Sequence, residues 1–330
     1  MLIIFFDRSS PGTFLKVEEK ILFFQRTRVR KIRLPFKTAF IVNPAAGGGR
    51  ALRTWRKLET LLHDNGQSFQ THYTRWRSDA TAIAEKARSM GAELIVAVGG
   101  DGTLFEVLNG LDLKKNIFGV IPAGTANGFR RSLGIPADCR RALLEMAGWS
   151  PRPVDIGMVN GLRFLNVIGL GFDAAVAQFA KADDQKLPGY AAFVAGFLKE
   201  LATFKPFHAA MTMNSDKRIC EAKTFIAMVA NGRYYGGQLC IAPHAAVDDG
   251  QLNLVTIRRV GYIETAVLGI RAFMKNHLSH RAVQTAPFRE LTIDANELIP
   301  MHVDGELIGS PPARVTVQPG VLSILAPSST

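Results

Sequence analysis

The apolar run Glu93 to Val98 has the composition of a buried strand, and it feeds directly into Gly99-Gly100-Asp101-Gly102-Thr103. Helix-forming residues from Leu104 to Leu111 follow at once. Three glycines within four positions permit positive φ and let the backbone approach a ligand closely. The helix start beyond them presents unpaired N–H groups and the positive end of a helix dipole. Strand, glycine turn and helix in that order predict an anion nest at the carboxyl edge of a parallel sheet, where ligands of such sheets bind. An isolated glycine pair would read as a tight turn; the flanking elements make this cluster a phosphate loop. Thr103 offers its hydroxyl either to a phosphate or to the helix start.

The same alternation runs through the first half of the chain. Ala39 to Val42 is a short strand that stops at Asn43-Pro44, and Leu52, Trp55, Leu58, Leu61 and Leu62 then recur at helical steps. Ser68 to Thr74 alternates as a strand, Ala80 to Met90 is rich in helix formers, and Ile117 to Ile121 is a further strand. This spacing predicts an α/β domain with a doubly wound, mostly parallel sheet over residues 38–150. Two more small-residue loops, Asn43 to Gly49 and Pro122 to Asn127, leave the same sheet edge. Together the three loops predict a nucleotide cradle. It is neither a Walker loop nor a dinucleotide fingerprint, because no Gly-Lys-Ser/Thr and no Gly-x-Gly-x-x-Gly is present in them.

After Pro151 and Pro153 the apolar runs become short, glycine-punctuated and strand-like, at 162–168, 224–230, 252–257, 290–294 and 314–318. Helical stretches interrupt them near 189–204 and 262–276. Many strands with few helices predict a mainly antiparallel β-sandwich over 151–319. Within it, Asp304-Gly305-Glu306 reads on its own as a hairpin turn between Met301-His302-Val303 and Leu307-Ile308.

No apolar stretch approaches the ~20 residues needed to span a bilayer. Cys139, Cys220 and Cys240 are odd in number and far apart, which fits a reducing compartment better than a disulfide framework. The net charge of +12 favours anionic partners. Nine of the 40 Lys and Arg fall in residues 1–37, a basic N-terminal extension that mixes Ile21, Leu22, Phe23 and Phe24 with cations. Such a segment suits a membrane surface or is simply a poorly ordered leader. No nucleic-acid module is recognisable, so none is expected as a partner.

Asn43-Pro44 with its trailing glycines, Gly99 to Thr103, and Pro122-x-Gly124-Thr125-x-Asn127 resemble the three ordered nucleotide-site motifs of the diacylglycerol kinase catalytic family, which includes bacterial soluble lipid kinases and sphingosine kinases. Phe164-Leu165-Asn166, Gly171-Phe172-Asp173-Ala174, the segment 231–237, the segment Ala242-Pro243 to Asp249-Gly250, and Asp304-Gly305-Glu306 follow in that family's order. The likeness covers about residues 38–327. Gly-Gly-Asp-Gly-Thr alone is shared with NAD kinases and 6-phosphofructokinases, and the later motifs separate the lipid kinases from both.

The resemblance implies an ATP- and Mg²⁺-dependent kinase that phosphorylates a hydroxyl of diacylglycerol or a similar lipid. A sphingoid-base kinase, an NAD kinase-like enzyme and a non-catalytic nucleotide-binding membrane protein are the alternatives. It implies an active site in the cleft between the domains, with a last strand at about 320–327 returning to the first domain. ATP contacts are implied at Asn43, Pro44, Ala45, Ala46, Gly47, Thr74, Gly99, Gly100, Asp101, Gly102, Thr103, Glu106, Gly124, Thr125 and Asn127. Asp304 and Glu306 are the implied candidates for the proton acceptor, and Asp101 for holding the Mg²⁺ of the nucleotide or capping its helix. A structural Mg²⁺ is implied at Ala246, Asp249 and Gln251, where a plain acidic turn is the other reading. The expected setting is cytoplasmic, with peripheral attachment to the anionic inner face of the membrane, and a homodimer is compatible with it.

One position departs from the pattern: the family carries Asp after the Asn of the third motif, and this chain has Gly128. His277 and His280 are expected to be solvated, and His302 to pack beside the acidic turn. The apolar stripe of Tyr190, Phe193, Val194, Phe197, Leu198 and Leu201 is expected to be a helix core face, with an acyl-chain groove as the other use.

Overall fold

A computed structural model describes residues 32–182, 190–214 and 217–328. The leader through residue 31 lies outside the described residues, as do the side chains of Tyr190 and Cys220. Strands Thr38–Val42 (β1), Phe69–Tyr73 (β2), Leu94–Gly99 (β3) and Ile117–Pro122 (β4) form a parallel sheet in the order β4-β3-β1-β2. Helices Arg50–Asp64 (α1), Asp79–Ser89 (α2), Asp101–Gly110 (α3), Gly128–Ser132 (α4) and Cys139–Met146 (α5) connect and cover it.

Side chains alternate across these strands into two separate cores. Ala39, Ile41, Ile95 and Ala97 point to one, while Phe40, Val42, Leu94, Val96 and Val98 point to the other with Trp55 and Leu58. A sheet covered on both faces has no wet side, which is why its strands read as continuous apolar runs. Ile32 and Leu34 are buried in the second of these cores, so packing of the first domain begins before Thr38.

The second half contains strands Pro151–Val159 (β5), Leu162–Phe164 (β6), Val167–Gly171 (β7), Phe207–Met213 (β8), Lys217–Ala230 (β9), Tyr234–Tyr235 (β10), Leu239–Cys240 (β11), Leu252–Arg258 (β12), Val283–Phe288 (β13), Glu290–Asp294 (β14), Met301–Val303 (β15), Glu306–Gly309 (β16) and Ala313–Leu325 (β17). Their pairings with one another are antiparallel, in a sandwich around Phe164, Met211, Leu252, Phe288 and Leu291. Three helices lie on this half: Phe172–Ala180 (α6), Tyr190–Thr203 (α7) and Tyr262–Phe273 (α8). Strand β17 links the halves. Its start pairs antiparallel with β14 and β5, and its end pairs parallel with β4 through Ser323 and Ile324. Among the described residues no helix is long and apolar enough to cross a membrane.

Helix α3 starts at Asp101, three residues earlier than the residue pattern predicts, after an extended Gly100 with no side-chain cap. Gly102 is tolerated because the first turn needs no intrahelical partner for its N–H groups, and Asp101 suits the positive dipole end. Helix α6 was not evident from the residue pattern, because its nine residues carry only two polar side chains, Asp173 and Gln178, and so show little amphipathic period.

Candidate active site

The three loops at the carboxyl ends of β1, β3 and β4 interlock. Asn43 Nδ2 donates to Thr103 Oγ1 at 3.0 Å, tying the first loop to the start of α3. The N–H groups of Ala123 and Gly124 donate to Gly99 O at 2.9 and 3.0 Å, tying the third loop to the second. A Cβ at Gly124 would lie 2.3 Å from Gly100 Cα, and one at Gly99 would lie 2.4 Å from Thr103 Oγ1. These glycines are therefore required by close backbone approach as well as by loop conformation. Asn127, at φ 50°, closes its own loop by accepting from Gly124 N at 3.0 Å and donating to Gly124 O at 2.8 Å.

A cavity of about 650 Å³ opens over this edge. Asn43, Pro44, Ala45, Ala46, Gly47, Thr74, Gly100, Gly102, Thr103, Glu106, Gly124 and Thr125 line it, so most of the expected nucleotide residues face one space. Lys181 and Glu306 from the second domain close its far side, and Arg75, Trp76 and Arg77 flank it. Gly99 serves beneath the floor, whereas Asp101 and Asn127 face a larger neighbouring cavity. Glu106 has a structural duty too: its carboxylate accepts from the N–H groups of Ser78 and Ala80 at 2.8 and 3.1 Å, at the start of α2.

Asp101 accepts from Gly128 N at 2.9 Å and Phe129 N at 3.2 Å, so it caps α4 rather than its own helix. Burial pushes its carboxyl above the usual range, and these two N–H groups pull in the opposite direction. Gly128 sits where a Cβ would lie 2.9 Å from Tyr234 O and 3.1 Å from Asn166 Nδ2. The departure from the family's Asp thus coincides with a carbonyl packed against that position.

The acidic turn joins β15 to β16, with Asp304 at φ 48° and Gly305 at φ 88°, so the hairpin reading and the site reading describe the same residues. Asp304 is buried and accepts three backbone N–H groups: Leu165 at 2.8 Å on Oδ2, and Asn166 and Val167 at 3.0 and 2.8 Å on Oδ1. Burial raises its pKa to about 6 against the pull of those donors. Glu306 pairs with Lys181 Nζ at 2.7 Å and with Arg77. A Cβ at Gly102 would lie 3.2 Å from Glu306 Oε1, so this carboxylate stands at the phosphate loop.

Behind the turn, fully buried His302 places Nε2 3.0 Å from Asp173 Oδ2 and 2.9 Å from Tyr235 Oη. Gly305 N donates to His302 Nδ1 at 3.3 Å, which leaves the ring proton of the neutral form on Nε2. Gly169 makes room for this group, since a Cβ there would lie 1.9 Å from Asp173 Oδ2. Asp173 Oδ1 is buried with no hydrogen-bond partner among the described residues. Burial, reinforced by Asp173, Asp304 and Asp101, pushes the Tyr235 phenol well above its ordinary value. Residue reasoning expected His302 beside the turn but missed the roles of Asp173, Tyr235, Arg77 and Lys181. Asp173 lay inside a quoted motif, and the two cations lay in no motif at all.

The larger cavity, of about 1390 Å³, starts at Gly100, Asp101 and Asp304 and runs between α6, α7, α8 and the sandwich. Phe172, Val176, Phe225, Met228 and Leu268 line its apolar part. Phe193, Val194, Phe197 and Leu198 of α7 line it as well and are 38–62% exposed, so the stripe expected to be a core face is not one. Leu201 of that stripe packs inward against the Phe172 and Phe225 cluster, and the Phe197 ring meets that of Phe172 edge-on with centroids 5.4 Å apart. The core-face expectation failed because a cavity-lining stripe and a core stripe share one periodicity.

Two other expectations resolve away from the cleft. His277 is buried, with Nε2 2.8 Å from Ile241 O and a pKa lowered chiefly by that burial, so it is not solvated. His280 faces Glu264 at 3.1 Å. Ala246, Asp249 and Gln251 lie on the turn before β12, where Gln251 N donates to Asp249 Oδ1 at 2.9 Å. Burial, with Asp155 and Asp248 nearby, raises the Asp249 carboxyl.

Three interlocked glycine-bearing loops on the edge of a parallel sheet, faced by acidic residues from a β-sandwich, define a two-domain architecture with its candidate site between the halves. Residues 37–159 match the diacylglycerol kinase catalytic domain, and residues 166–326 match the YegS C-terminal NAD kinase beta sandwich-like domain. The chain is 33% identical over 268 residues to a Pseudomonas aeruginosa protein named "Probable lipid kinase YegS-like", covering 80% of this chain and 87% of that one. It is 27% identical over 281 residues to the diacylglycerol kinase of Bacillus subtilis, covering 84% and 92%. A solved diacylglycerol kinase structure from Bacillus anthracis matches with a TM-score of 0.68 at 24% identity over 90% of this chain and 99% of that one, which shows the shared fold. This chain belongs to the lipid kinase family built from these two domains, within the NAD kinase-like superfamily.

Proposed function

We propose that the chain transfers the γ-phosphoryl group of ATP to a hydroxyl of diacylglycerol or a similar neutral lipid, at an anionic membrane surface on the cytoplasmic side. The observation that carries this reading is the junction of the two cavities. The smaller, glycine-lined one suits a triphosphate, the larger one is walled by apolar side chains, and Gly100, Gly102, Gly124, Thr125 and Glu306 line both. A soluble metabolite would not need the apolar wall formed by Phe172, Val176 and Phe225.

In this reading the lipid hydroxyl oxygen bonds to the γ-phosphorus while the bond from that phosphorus to the β–γ bridging oxygen breaks. ADP leaves, and the hydroxyl proton passes to a carboxylate. Asp304 is the proposed acceptor: a carboxyl with a pKa near 6 is ionised at neutral pH yet basic enough to take a proton. Glu306 orients Arg77 and Lys181 toward the γ-phosphate.

The described residues contain no group of three His, Cys, Asp or Glu side chains able to hold a metal ion. Asp101, whose two oxygens also accept from Gly128 N and Phe129 N, is the residue beside the phosphate loop that would hold Mg²⁺ carried by the nucleotide, and the ion would neutralise charge on the transferring phosphate. The turn at Ala246, Asp249 and Gln251 offers hard oxygen donors for a separate structural Mg²⁺.

The test is a labelled-ATP assay against vesicles containing diacylglycerol, vesicles containing a sphingoid base, and free NAD. A phosphomonoester of diacylglycerol is expected, absent in Asp101→Ala and in the double variant Asp304→Asn/Glu306→Gln. Labelled NAD, or tight ATP binding with no lipid product, would overturn the proposal.

A further inference from the structure

Helix α8 is apolar on two sides. Leu268 and Ala272 are buried against the sandwich, and the other side carries Tyr262, Ile263, Val267, Ile270, Phe273 and Met274, each 41–83% exposed. Steps of three and four residues align these six as one stripe, where a surface helix normally presents polar side chains. Single exposed apolar residues need no explanation, but a continuous stripe does.

Phe273 lines the large cavity from this side and Phe193 lines it from α7, so the two helices flank its mouth. Ile263 and Ile270 do not line the cavity. Filling it with acyl chains would therefore leave both in water.

The rim of the stripe is cationic. Residues 258–281 hold Arg258, Arg259, Arg271, Lys275 and Arg281 against one acid, Glu264. Glu264 is itself engaged by Arg281 at 3.7 Å and by His280 at 3.1 Å. A second copy of this surface, or the basic leader with the seven Lys and Arg of residues 1–31, would bring like charges together. An anionic bilayer supplies opposite charge at its headgroups and an apolar layer just beneath them.

We propose that the exposed face of α8, with the adjoining face of α7, docks onto an anionic lipid bilayer and sets the mouth of the apolar cavity against it. This rests on the reading of that cavity as the lipid site. The face inserts its stripe below the headgroups while Arg258, Lys275 and Arg281 remain among the phosphates, so a lipid substrate enters the cleft without crossing water.

Sedimentation with vesicles of phosphatidylcholine alone, or of equal parts phosphatidylcholine and phosphatidylglycerol, tests the proposal on the full chain. Binding is expected to the mixed vesicles and to weaken with salt. Ile263→Asp/Ile270→Asp should reduce it about tenfold or more, and Lys275→Glu/Arg281→Glu should do the same while flattening the salt dependence. Phosphorylation of dioctanoylglycerol, presented below its aggregation concentration, should be unchanged in Ile263→Asp/Ile270→Asp. Undiminished vesicle binding by both variants overturns the docking face. So does a lipid-free dimer that Ile263→Asp/Ile270→Asp dissociates, because the stripe then belongs to a second copy. If no diacylglycerol is phosphorylated but vesicle binding is lost as described, the kinase reading fails and the docking face stands.

Discussion

Asp304→Asn separates the two duties this residue carries. Its carboxylate accepts three backbone N–H groups at 2.8–3.0 Å while buried beneath the β15–β16 turn. An amide keeps one acceptor oxygen and turns an NH₂ group toward at least one of those donors. Leaving a buried N–H unsatisfied costs about 1–3 kcal/mol, and the charge assistance of the remaining bonds is lost as well. The expected destabilisation is therefore about 1–3 kcal/mol below about pH 4, where the carboxyl is protonated, and it shrinks towards pH 7, where Asn escapes the cost of burying a charge.

The pH dependence gives a second signature. The Asp304 carboxyl moves from 3.8 to about 6 on folding, so the folded chain holds this proton more tightly than the unfolded chain does. The stability it contributes is full below pH 3.8 and is lost as pH rises through about 6, a change of about 3 kcal/mol. Asn cannot titrate, so its urea-unfolding free energy should lack that fall. In the unchanged chain kcat should drop as pH falls below about 6, because the protonated carboxyl cannot accept the hydroxyl proton. Urea unfolding followed by circular dichroism across pH 4 to 8, with kcat measured in parallel, reads both effects. Equal stability and an identical pH slope in the Asn variant would refute the account of the clamp. A kcat profile flat through pH 6 would refute the assignment of the base.

Further outcomes follow from neighbouring geometry. Gly124→Ala places a methyl 2.3 Å from Gly100 Cα, so the loops must separate; at about 1–3 kcal/mol for overpacking, ATP affinity by calorimetry should fall about tenfold or more while the far-ultraviolet spectrum is unchanged. Glu306→Gln removes pairs whose Arg77 partner is well exposed, so stability should shift by less than about 1 kcal/mol, yet kcat should fall about a hundredfold; a large stability loss with intact kcat would invert the assignment. Gly128→Asp restores the residue usual in the family but drives a Cβ to 2.9 Å from Tyr234 O, which should cost about 1–3 kcal/mol in urea unfolding. A variant that is both more stable and faster would show that the packing at Tyr234 does not set this position.

Local pattern determined the halves of the protein. Strand, small-residue loop and helix in repetition can close only as a parallel sheet with its loops at one edge, so Asn43, Gly99 to Thr103 and Gly124 to Asn127 were legible as one site. The acidic turn was legible as a hairpin from Asp304-Gly305, and as a site through its order among the other motifs. Tertiary structure decided what those residues touch. Asp101 caps α4 because the third loop is packed beside it, and Asp304 is ringed by N–H groups from β7 and the residues just before it, 137 to 139 positions away in the chain. The partnership of Arg77 and Lys181 with Glu306 spans 229 and 125 positions. The outward faces of α7 and α8 carry the same apolar period as a buried face. Periodicity records which side chains share a face, and only the packed chain settles whether that face meets a core, a cavity or solvent.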